Sequence, residues 1–317
     1  MKIKGKNILV TGGAGFIGSH LVDSLLKKGA TVTIIDDLST GRKSNVNIKA
    51  KFIDGDIRNF DILTECLDNI DIIYHLAADA RTKESSMGWY DPIRDIRINA
   101  EATLNLFRAI IEQDLDSRII YTSSAAVYGE PQYTPIDEDH PTNPLSPYGI
   151  SKLSGEKYAF AYFKEFGIKS ISARIFNTYG PRQSRYVLFD LLKKLQSNKN
   201  RLEVLGNGKN IRDYSYISDT VDALLLLIEK GHWGKVYNVA GENPISISDL
   251  IVLILTELNL IGITEVCYTG NSWKGDITRM MADITKINKI GFHPKVSMEE
   301  GIKKTIEWFI NEYKNNW

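Results

Sequence analysis

Residues 7–18 read Asn-Ile-Leu-Val-Thr-Gly-Gly-Ala-Gly-Phe-Ile-Gly, and this stretch decides the fold. A short apolar run of strand length meets a cluster of glycines, and an amphipathic helical pattern begins at Phe16. The glycines fit the spacing Gly-x-Gly-x-x-Gly, which is typical of the turn that binds the pyrophosphate of a dinucleotide. Glycine lets the backbone approach the phosphates closely, and the helix N-terminus attracts their negative charge. We therefore predict a dinucleotide site at this turn.

Asp36 indicates which dinucleotide the turn binds. It follows the second predicted strand, residues 31–35, and lies eighteen positions beyond Gly18. A carboxylate at this point accepts hydrogen bonds from the adenosine ribose hydroxyls, and its charge repels a 2′-phosphate. The sequence therefore predicts NAD rather than NADP.

The composition is that of an ordinary globular protein with no overall charge. The chain has 317 residues, with 39 Lys and Arg against 39 Asp and Glu. No overall field favours nucleic acid or an anionic membrane, so local charges must hold any anionic ligand. The two cysteines, Cys66 and Cys267, and the five histidines show no metal-ligand spacing. We expect no metal, no nucleic-acid or membrane partner, and a reduced, cytoplasmic compartment.

Strand and helix patterns alternate through the first half of the chain. Predicted strands such as Ile-Ile-Tyr-His-Leu at 72–76 are almost wholly apolar, which is typical of a parallel sheet covered on both faces. We therefore predict an α/β fold with a doubly wound parallel (Rossmann) sheet. The predicted strands are 7–11, 31–35, 51–53, 71–76, 117–122 and 169–176, and the predicted helices are 16–28, 59–67, 92–113 and 148–166.

The second half of the chain is less regular. We expect an NAD-binding domain over residues 1–176 and a smaller substrate lobe over residues 177–317, placed over the carboxyl edge of the sheet. Because no Pro-, Gly- or Ser-rich linker separates the halves, the C-terminal lobe should interleave with the first domain. Helices are predicted at 186–197, 218–230, 246–259 and 298–314, with short strands at 202–205, 235–239 and 265–268.

Ser123 and Ser124 end the fifth predicted strand, at the sheet edge where open α/β folds bind their ligands. A serine pair at this point is consistent with a functional site. It is equally consistent with a turn in which the hydroxyls only cap the backbone. The residues alone leave both interpretations open.

Tyr148 and Lys152 are four residues apart on a predicted helix that starts near Pro147, so they lie on one face. A free tyrosine has a pKa of about 10, which is too high for an efficient base near neutral pH. A neighbouring ammonium is expected to lower that pKa. An isolated Tyr-x-x-x-Lys pattern is more often a surface aromatic–lysine pair, so the motif needs support from the rest of the chain.

Nine motifs, spread over nearly the whole chain, provide that support. They are Thr-Gly-Gly-Ala-Gly-Phe-Ile-Gly (11–18), Asp-Asp-Leu-Ser-Thr-Gly (36–41), Gly-Asp-Ile-Arg (55–58), His-Leu-Ala-Ala (75–78), Asn99, Ser-Ser-Ala-Ala-Val-Tyr-Gly (123–129), Tyr148 with Lys152, Arg-Ile-Phe-Asn-Thr-Tyr-Gly-Pro-Arg (174–182) and Arg-Asp-Tyr-Ser-Tyr-Ile-Ser-Asp (212–219). In this order they resemble the extended short-chain dehydrogenases/reductases of the NAD-dependent epimerase/dehydratase family. Within that family the chain is most similar to UDP-glucose (UDP-galactose) 4-epimerases.

The resemblance implies a set of NAD-binding residues. The glycine turn would hold the pyrophosphate, and the other residues would follow the cofactor from its adenine to its nicotinamide. The implied contacts are Gly12, Gly15, Phe16, Ile17 and Gly18 at the pyrophosphate, Asp36 at the adenosine ribose, Asp56 and Ile57 at the adenine, Leu76, Ala77, Ala78 and Asn99 on the path to the nicotinamide, and Lys152 at its ribose, beside Tyr148.

The resemblance also implies the reacting groups. Tyr148, as phenolate, would exchange a proton with the sugar 4-hydroxyl, Ser124 would hydrogen-bond the same oxygen, and Lys152 would favour the phenolate. Asn177 and Arg212 would contact the substrate diphosphate. From the residues alone, Asn177 is also compatible with a plain turn, and Arg212 with a salt bridge to the neighbouring aspartate.

Two departures from the family pattern bear on the substrate. Ala125 and Ala126 stand where 4,6-dehydratases of the family carry Asp-Glu, and methyl groups supply neither a general acid nor a general base. Trp273-Lys274-Gly275-Asp276 stands where the family often has Arg-x-Gly-Asp to hold the diphosphate. Lys274, Arg279 and Arg182 are therefore the other candidate substrate-binding cations.

We interpret the chain as an NAD-dependent nucleotide-sugar 4-epimerase that acts on a UDP-hexose through a transient 4-ketosugar. The alternatives are another NAD-dependent nucleotide-sugar epimerase, dehydratase or ketoreductase and, more remotely, a non-catalytic NAD-binding protein. The resemblance further implies a homodimer packed through helices 92–113 and 148–166. The apolar side chains expected at that interface are Leu104, Phe107, Ile111, Ala159, Phe160 and Phe163.

Overall fold

The computed structural model describes residues 2–80, 91–270 and 276–313, and its centre is a parallel sheet of seven strands. The strands are β1 (Asn7–Thr11), β2 (Thr31–Asp36), β3 (Lys51–Asp54), β4 (Ile72–His75), β5 (Arg118–Ser124), β6 (Ser170–Ile175) and β10 (Val236–Val239). They lie in the order β3-β2-β1-β4-β5-β6-β10. The order reverses between β1 and β4, and the crevice at such a switch point is where open α/β sheets bind ligands. The predicted doubly wound fold is confirmed.

Helices cover both faces of this sheet, as its wholly buried strands require. The first half contributes α1 (Phe16–Lys27), α2 (Phe60–Glu65), α3 (Pro92–Asp95), α4 (Ala102–Glu112) and α5 (Pro147–Phe166). The helix predicted over 92–113 is interrupted by a π-helical turn at Ile96–Glu101. Short 3₁₀ turns occur at Lys43–Asn45 and Ala125–Val127.

The second half builds a smaller lobe. The lobe begins where β6 ends, so its inner surface faces the carboxyl edge of the sheet. Its elements are β7 (Asn177–Tyr179), α6 (Val187–Ser197), β8 (Arg201–Val204), β9 (Ile211–Tyr216), α7 (Ile217–Lys230), β11 (Pro244–Ser246), α8 (Ile247–Glu257), β12 (Glu265–Tyr268), β13 (Arg279–Met280), α9 (Thr285–Asn288) and α10 (Met298–Glu312). Strand β9 is its centre and pairs in parallel with β7 and β13 and antiparallel with β11, while β8 pairs with β12.

The two lobes interleave, because part of the second half completes the first sheet. Strand β10 pairs in parallel with β6 as the seventh strand, and α7 packs beside α1. The boundary predicted at residue 176 therefore does not coincide with the edge of the sheet. The pattern at 235–239 indicated a strand, but nothing local in the sequence indicates which strand it pairs with.

Among the helices that the structure describes, none is long and apolar enough to cross a membrane.

Candidate active site

A cavity of about 550 Å³ lies between the carboxyl edge of the parallel sheet and the second lobe. The glycine turn after β1 and Asp36 line one end of it. Ser124, Tyr148 and Lys152 line its middle, and Arg212 lies on the wall that the second lobe supplies. A cofactor and a substrate could therefore meet beside the tyrosine.

The glycine turn forms a cradle that side chains would fill. At Gly12 the backbone has φ +71°, and a Cβ there would lie 2.8 Å from the backbone nitrogen of Ala77. A Cβ at Gly18 would overlap the carbonyl oxygen of Gly12. Helix α1 begins after Gly15 without a side-chain cap from the described residues, so its first N–H groups are open to an anion. Phe16 and Ile17 also line the cavity, and the cradle fits the pyrophosphate of NAD.

Asp36 lies at the end of β2 and lines the cavity while nearly buried. Its Oδ2 accepts a hydrogen bond from Ala14 N at 2.9 Å, and its Oδ1 accepts one from Leu38 N at 2.9 Å. Burial raises the pKa of Asp36, and these two backbone bonds oppose the rise. The carboxylate is thus held in one orientation at the end of the cavity that Asp56 and Ile57 also line.

Ser124, Tyr148 and Lys152 come together because the carboxyl end of β5 lies beside the first turns of α5. Ser146 caps α5 by accepting a hydrogen bond from Gly149 N at 3.1 Å, and Pro147 occupies the first turn. Tyr148 therefore lies one turn before Lys152, and both line the cavity with Ser124. Lys152 is almost completely buried, with its Nζ 4.7 Å from the ring centre of Tyr121.

The shifts in the pKa values of Tyr148 and Lys152 differ from the sequence prediction. Burial raises the pKa of Tyr148, and the nearby phenol of Tyr186 raises it further, while Ser124 and Arg185 oppose the rise. Burial lowers the pKa of Lys152 to about 7. The expectation that Lys152 lowers the pKa of Tyr148 is therefore not met, because burial raises the pKa of Tyr148 and a buried lysine that loses its proton near neutral pH is a weak source of positive charge.

The path toward the predicted nicotinamide position is lined by Leu76, Ala77 and Ala78. Asn99 was predicted to share this role, but it lies behind the wall, outside the described lining. Its side chain accepts a hydrogen bond from Asp79 N at 2.9 Å and donates to Asp79 O at 3.0 Å. It also donates to Ser151 Oγ at 2.9 Å. Asn99 thus fixes the segment after β4 to helix α5.

The predicted substrate-binding residues separate into two groups. Asn177 and Arg212 line the cavity. Of the residues that the structure describes, Arg182 and Arg279 are not part of the lining, because Arg182 pairs with Asp23 at 2.8 Å beside α1 and Arg279 is exposed on β13. Lys274, with Trp273, lies outside the described residues.

Several lining residues had no separate signal in the sequence. Arg185 and Tyr186 follow the motif at 174–182 and lie beside Tyr148. Among the described residues, the buried hydroxyls of Ser123 and Tyr214 line the cavity and have no hydrogen-bond partner. Buried polar groups are rarely left unsatisfied, so these hydroxyls are available to bond water or a polar ligand in the cavity. Tyr214 falls within the motif at 212–219, which could have identified it, whereas Arg185 and Tyr186 fit no spacing rule.

Three comparisons with known proteins agree on one family. The model of the NAD dependent epimerase/dehydratase family matches residues 8–240. A putative UDP-glucose 4-epimerase from Methanocaldococcus jannaschii is 36% identical, over 96% of this chain and 98% of that protein. UDP-glucuronic acid decarboxylase 1 from Xenopus tropicalis is 34% identical, over 98% of this chain and 73% of that protein. The crystal structure of UDP-glucose 4-epimerase from Thermotoga maritima with UDP-glucose superimposes with a TM-score of 0.90 at 33% identity, covering 97% of this chain and 99% of that one.

Proposed function

The chain belongs to the NAD-dependent epimerase/dehydratase family, and we propose that it is a 4-epimerase of a UDP-hexose that works through a transient 4-ketosugar. The observation that carries this proposal is that Ser124, Tyr148 and Lys152 line one cavity together with the glycine cradle. A protein that only bound NAD would not need these three groups around a space large enough for a sugar.

In the proposed mechanism, bound NAD supplies a reversible two-electron acceptor beside the sugar. The glycine cradle and Asp36 hold the cofactor at its pyrophosphate and adenosine ribose. Tyr148 accepts the proton of the sugar 4-hydroxyl through its phenolate oxygen and later returns it. Ser124 hydrogen-bonds the same sugar oxygen and keeps it in line with the phenol.

The raised pKa of Tyr148 must be offset for it to act as a base near neutral pH. The positive charge of Arg185 already opposes the rise. An oxidised nicotinamide carries a positive charge, and a bound diphosphate would favour the protonated form of Lys152. Binding would therefore move Tyr148 toward the phenolate and Lys152 toward the ammonium.

Ala125 and Ala126 argue against a dehydratase. Both follow Ser124 in a 3₁₀ turn, and both line the cavity. Loss of water from a ketosugar requires an additional acid and base, which two methyl groups do not provide. Beyond the electron acceptor that NAD would supply, an epimerase needs no acid or base other than the proton exchange at Tyr148.

Arg185 favours a second candidate function. It lines the cavity near Tyr148, and within the described part of the chain no carboxylate pairs with it. A guanidinium in a sugar site can bind a carboxylate through two parallel hydrogen bonds. The second candidate is therefore an enzyme that acts on a UDP-uronic acid, and the 34% identity to a UDP-glucuronic acid decarboxylase agrees with it.

The test is turnover of a panel of UDP-glucose, UDP-galactose, UDP-N-acetylglucosamine and UDP-glucuronic acid, with products separated by chromatography. We expect a 4-epimer from at least one hexose, and Tyr148→Phe should lower turnover by about two to four powers of ten. Tyr133→Phe is the matched control, because its exposed hydroxyl bonds Asp137 outside the cavity lining. Carbon dioxide released from UDP-glucuronic acid would favour the second candidate. A Tyr148→Phe protein with native turnover would refute the mechanism.

A further inference from the structure

Tyr186 has a backbone conformation that tyrosine rarely adopts. It immediately precedes α6, and its carbonyl accepts the first hydrogen bond of that helix from Asp190 N at 3.0 Å. Its φ is 74° and its ψ is 174°, a region of the backbone map that glycine occupies almost exclusively. Such strain persists only where the surrounding structure fixes the chain on both sides.

The chain before Tyr186 is fixed to the first lobe. His20 Nε2 lies 2.9 Å from the carbonyl oxygen of Pro181, and Arg182 pairs with Asp23, so both contacts reach helix α1. Gln183 Nε2 donates a hydrogen bond to Thr178 O at 2.9 Å. Helix α6 fixes the chain after Tyr186. Tyr186 therefore links two fixed segments of the chain, the first of which contains Arg182, which also has a positive φ of 68°.

The hydroxyl of Tyr186 connects the two lobes at the cavity, which Tyr186 and Ala80 both line. It donates a hydrogen bond at 3.0 Å to the carbonyl oxygen of Ala80, which follows β4 in the other lobe. The preceding residue, Asp79, is held by Asn99 through both of its backbone groups. Asn99 in turn bonds Ser151, the residue before Lys152. A continuous series of contacts thus joins helix α6 to the helix that carries the predicted base.

We infer that Tyr186 is a positioning residue that joins the substrate lobe to residues 76–80 at the cavity that Tyr148 lines. This inference rests on the proposed function for the purpose of the contact. The contact between the lobes holds the sugar against Tyr148 and keeps water from the ketosugar. The phenol of Tyr186 is close enough to Tyr148 to raise its pKa. The unusual backbone conformation occurs at the same residue whose hydroxyl reaches Ala80.

Two substitutions separate the hydroxyl from the strain. Tyr186→Phe keeps the ring and removes the hydrogen bond to Ala80. Tyr186→Gly removes both and relieves the backbone, because glycine adopts this conformation freely. Their controls are Tyr133→Phe, which removes an exposed hydroxyl elsewhere, and Asn259→Gly, which changes a residue with φ 55° outside the cavity lining.

The first readout is hydrogen exchange of the backbone amides of residues 76–80, which requires neither cofactor nor substrate. We expect exchange about tenfold faster in Tyr186→Phe and no change in Tyr133→Phe, since a hydrogen bond is worth about one power of ten. The melting temperature is the second readout. Tyr186→Gly should melt above Tyr186→Ala, because both variants lose the ring and the hydrogen bond to Ala80 and only glycine adopts this backbone conformation freely.

The third readout is kinetic. With the substrate that the native enzyme converts best, Tyr186→Phe should lower kcat about tenfold and leave KM within about twofold, because positioning acts on the transition state. Unchanged exchange at 76–80, native kcat in both variants, or a Tyr186→Gly protein that melts no higher than Tyr186→Ala would each overturn the inference. If the native protein converts none of the sugar nucleotides, the proposed function fails, while exchange and melting still decide whether Tyr186 joins the lobes.

Discussion

Arg212 and Asp276 form an ion pair on the wall of the cavity, with Nη2 2.6 Å from Oδ1. Asn210 donates a hydrogen bond to the other carboxylate oxygen at 2.6 Å, and Arg212 Nη1 donates to Ile211 O at 2.9 Å. The two side chains are only 14% and 5% exposed. The guanidinium is thus already oriented before a ligand arrives, which reduces the entropy that binding a diphosphate must overcome.

Replacing Arg212 should weaken binding of the nucleotide diphosphate. Arg212→Ala removes a charged hydrogen bond and leaves the buried carboxylate of Asp276 without that cation. Repulsion between this carboxylate and the diphosphate therefore adds to the lost contact. We expect KM for the sugar nucleotide to rise by about tenfold to a hundredfold. Titration calorimetry with UDP measures the same loss without turnover.

The double variant Arg212→Ala/Asp276→Asn measures the repulsion between the Asp276 carboxylate and the diphosphate. It should bind UDP more tightly than Arg212→Ala alone, because the amide keeps the shape of Asp276 without its charge. Arg118→Ala, at the opposite end of the sheet, should bind like the native protein. Native affinity in Arg212→Ala would mean that the diphosphate binds elsewhere.

The parts of this molecule that depend on local sequence could be predicted. The glycine turn, Asp36 and the short apolar strands carry periodic or spacing signals, and the first six strands of the sheet lie where the pattern indicated. Tertiary pairing carries no such signal. The sequence therefore did not indicate that Val236–Val239 pairs with β6 or that a π-helical turn interrupts the helix over 92–113.

The same distinction applies within the site. Ser124, Tyr148 and Lys152 occur in recognisable motifs. Arg185 and Tyr186 reach the cavity only because the chain between Pro181 and α6 is held against the first lobe. The reversed shift in the pKa of Tyr148 also depends on burial, which the spacing of a tyrosine and a lysine does not reveal.

Asp36 is expected to set the preference for NAD over NADP. Its carboxylate already accepts two backbone hydrogen bonds, so Asp36→Ala loosens the turn as well as removing charge. Asp36→Asn is the sharper test, because the amide oxygen can still accept one of these bonds. We expect both variants to bind NADH more weakly and NADPH relatively better. Fluorescence titration with the two reduced cofactors measures the ratio, and a native protein that prefers NADPH would contradict the assignment.

Lys152 should make the stability of the cofactor-free protein depend on pH in an unusual direction. Its pKa is about 7 in the folded chain and about 10.4 when unfolded, so the unfolded chain binds more protons between these values. Stability attributable to this group therefore rises with pH from about 7 to about 10. Lys152→Met fills the same space with a side chain that carries no titrating group.

The comparison of native protein with Lys152→Met removes the contribution of the other titrating groups. At pH 7 the cofactor-free variant should melt above the native protein, and the difference should shrink as the pH approaches 10. The same variant should bind NAD more weakly. A difference in melting temperature that is constant with pH would show that Lys152 keeps its ordinary pKa in the fold.

The predicted homodimer would pack through the outer faces of the helices around the π-helical turn. Phe107 and Ala159, which the sequence suggested for a dimer interface, are buried within the chain itself. Other apolar side chains on these helices and the turn between them remain exposed and form the surface available to a second copy. They are Ile93, Ile96, Ile111, Ile150, Tyr158, Phe160 and Phe166.

We expect the protein to be a homodimer through this surface, because exposed apolar groups on two adjacent helices gain free energy when a second copy covers them. Light scattering at micromolar concentration should give twice the chain mass of 35.7 kDa. Phe160→Glu with Ile150→Glu places two charges in the interface, since each native side chain is 49% exposed, and should yield monomers. Ile48→Glu is the control, because Ile48 is 98% exposed and far from these helices in the sequence. A native monomer, or a dimer that survives both charges, would place the interface elsewhere or remove it.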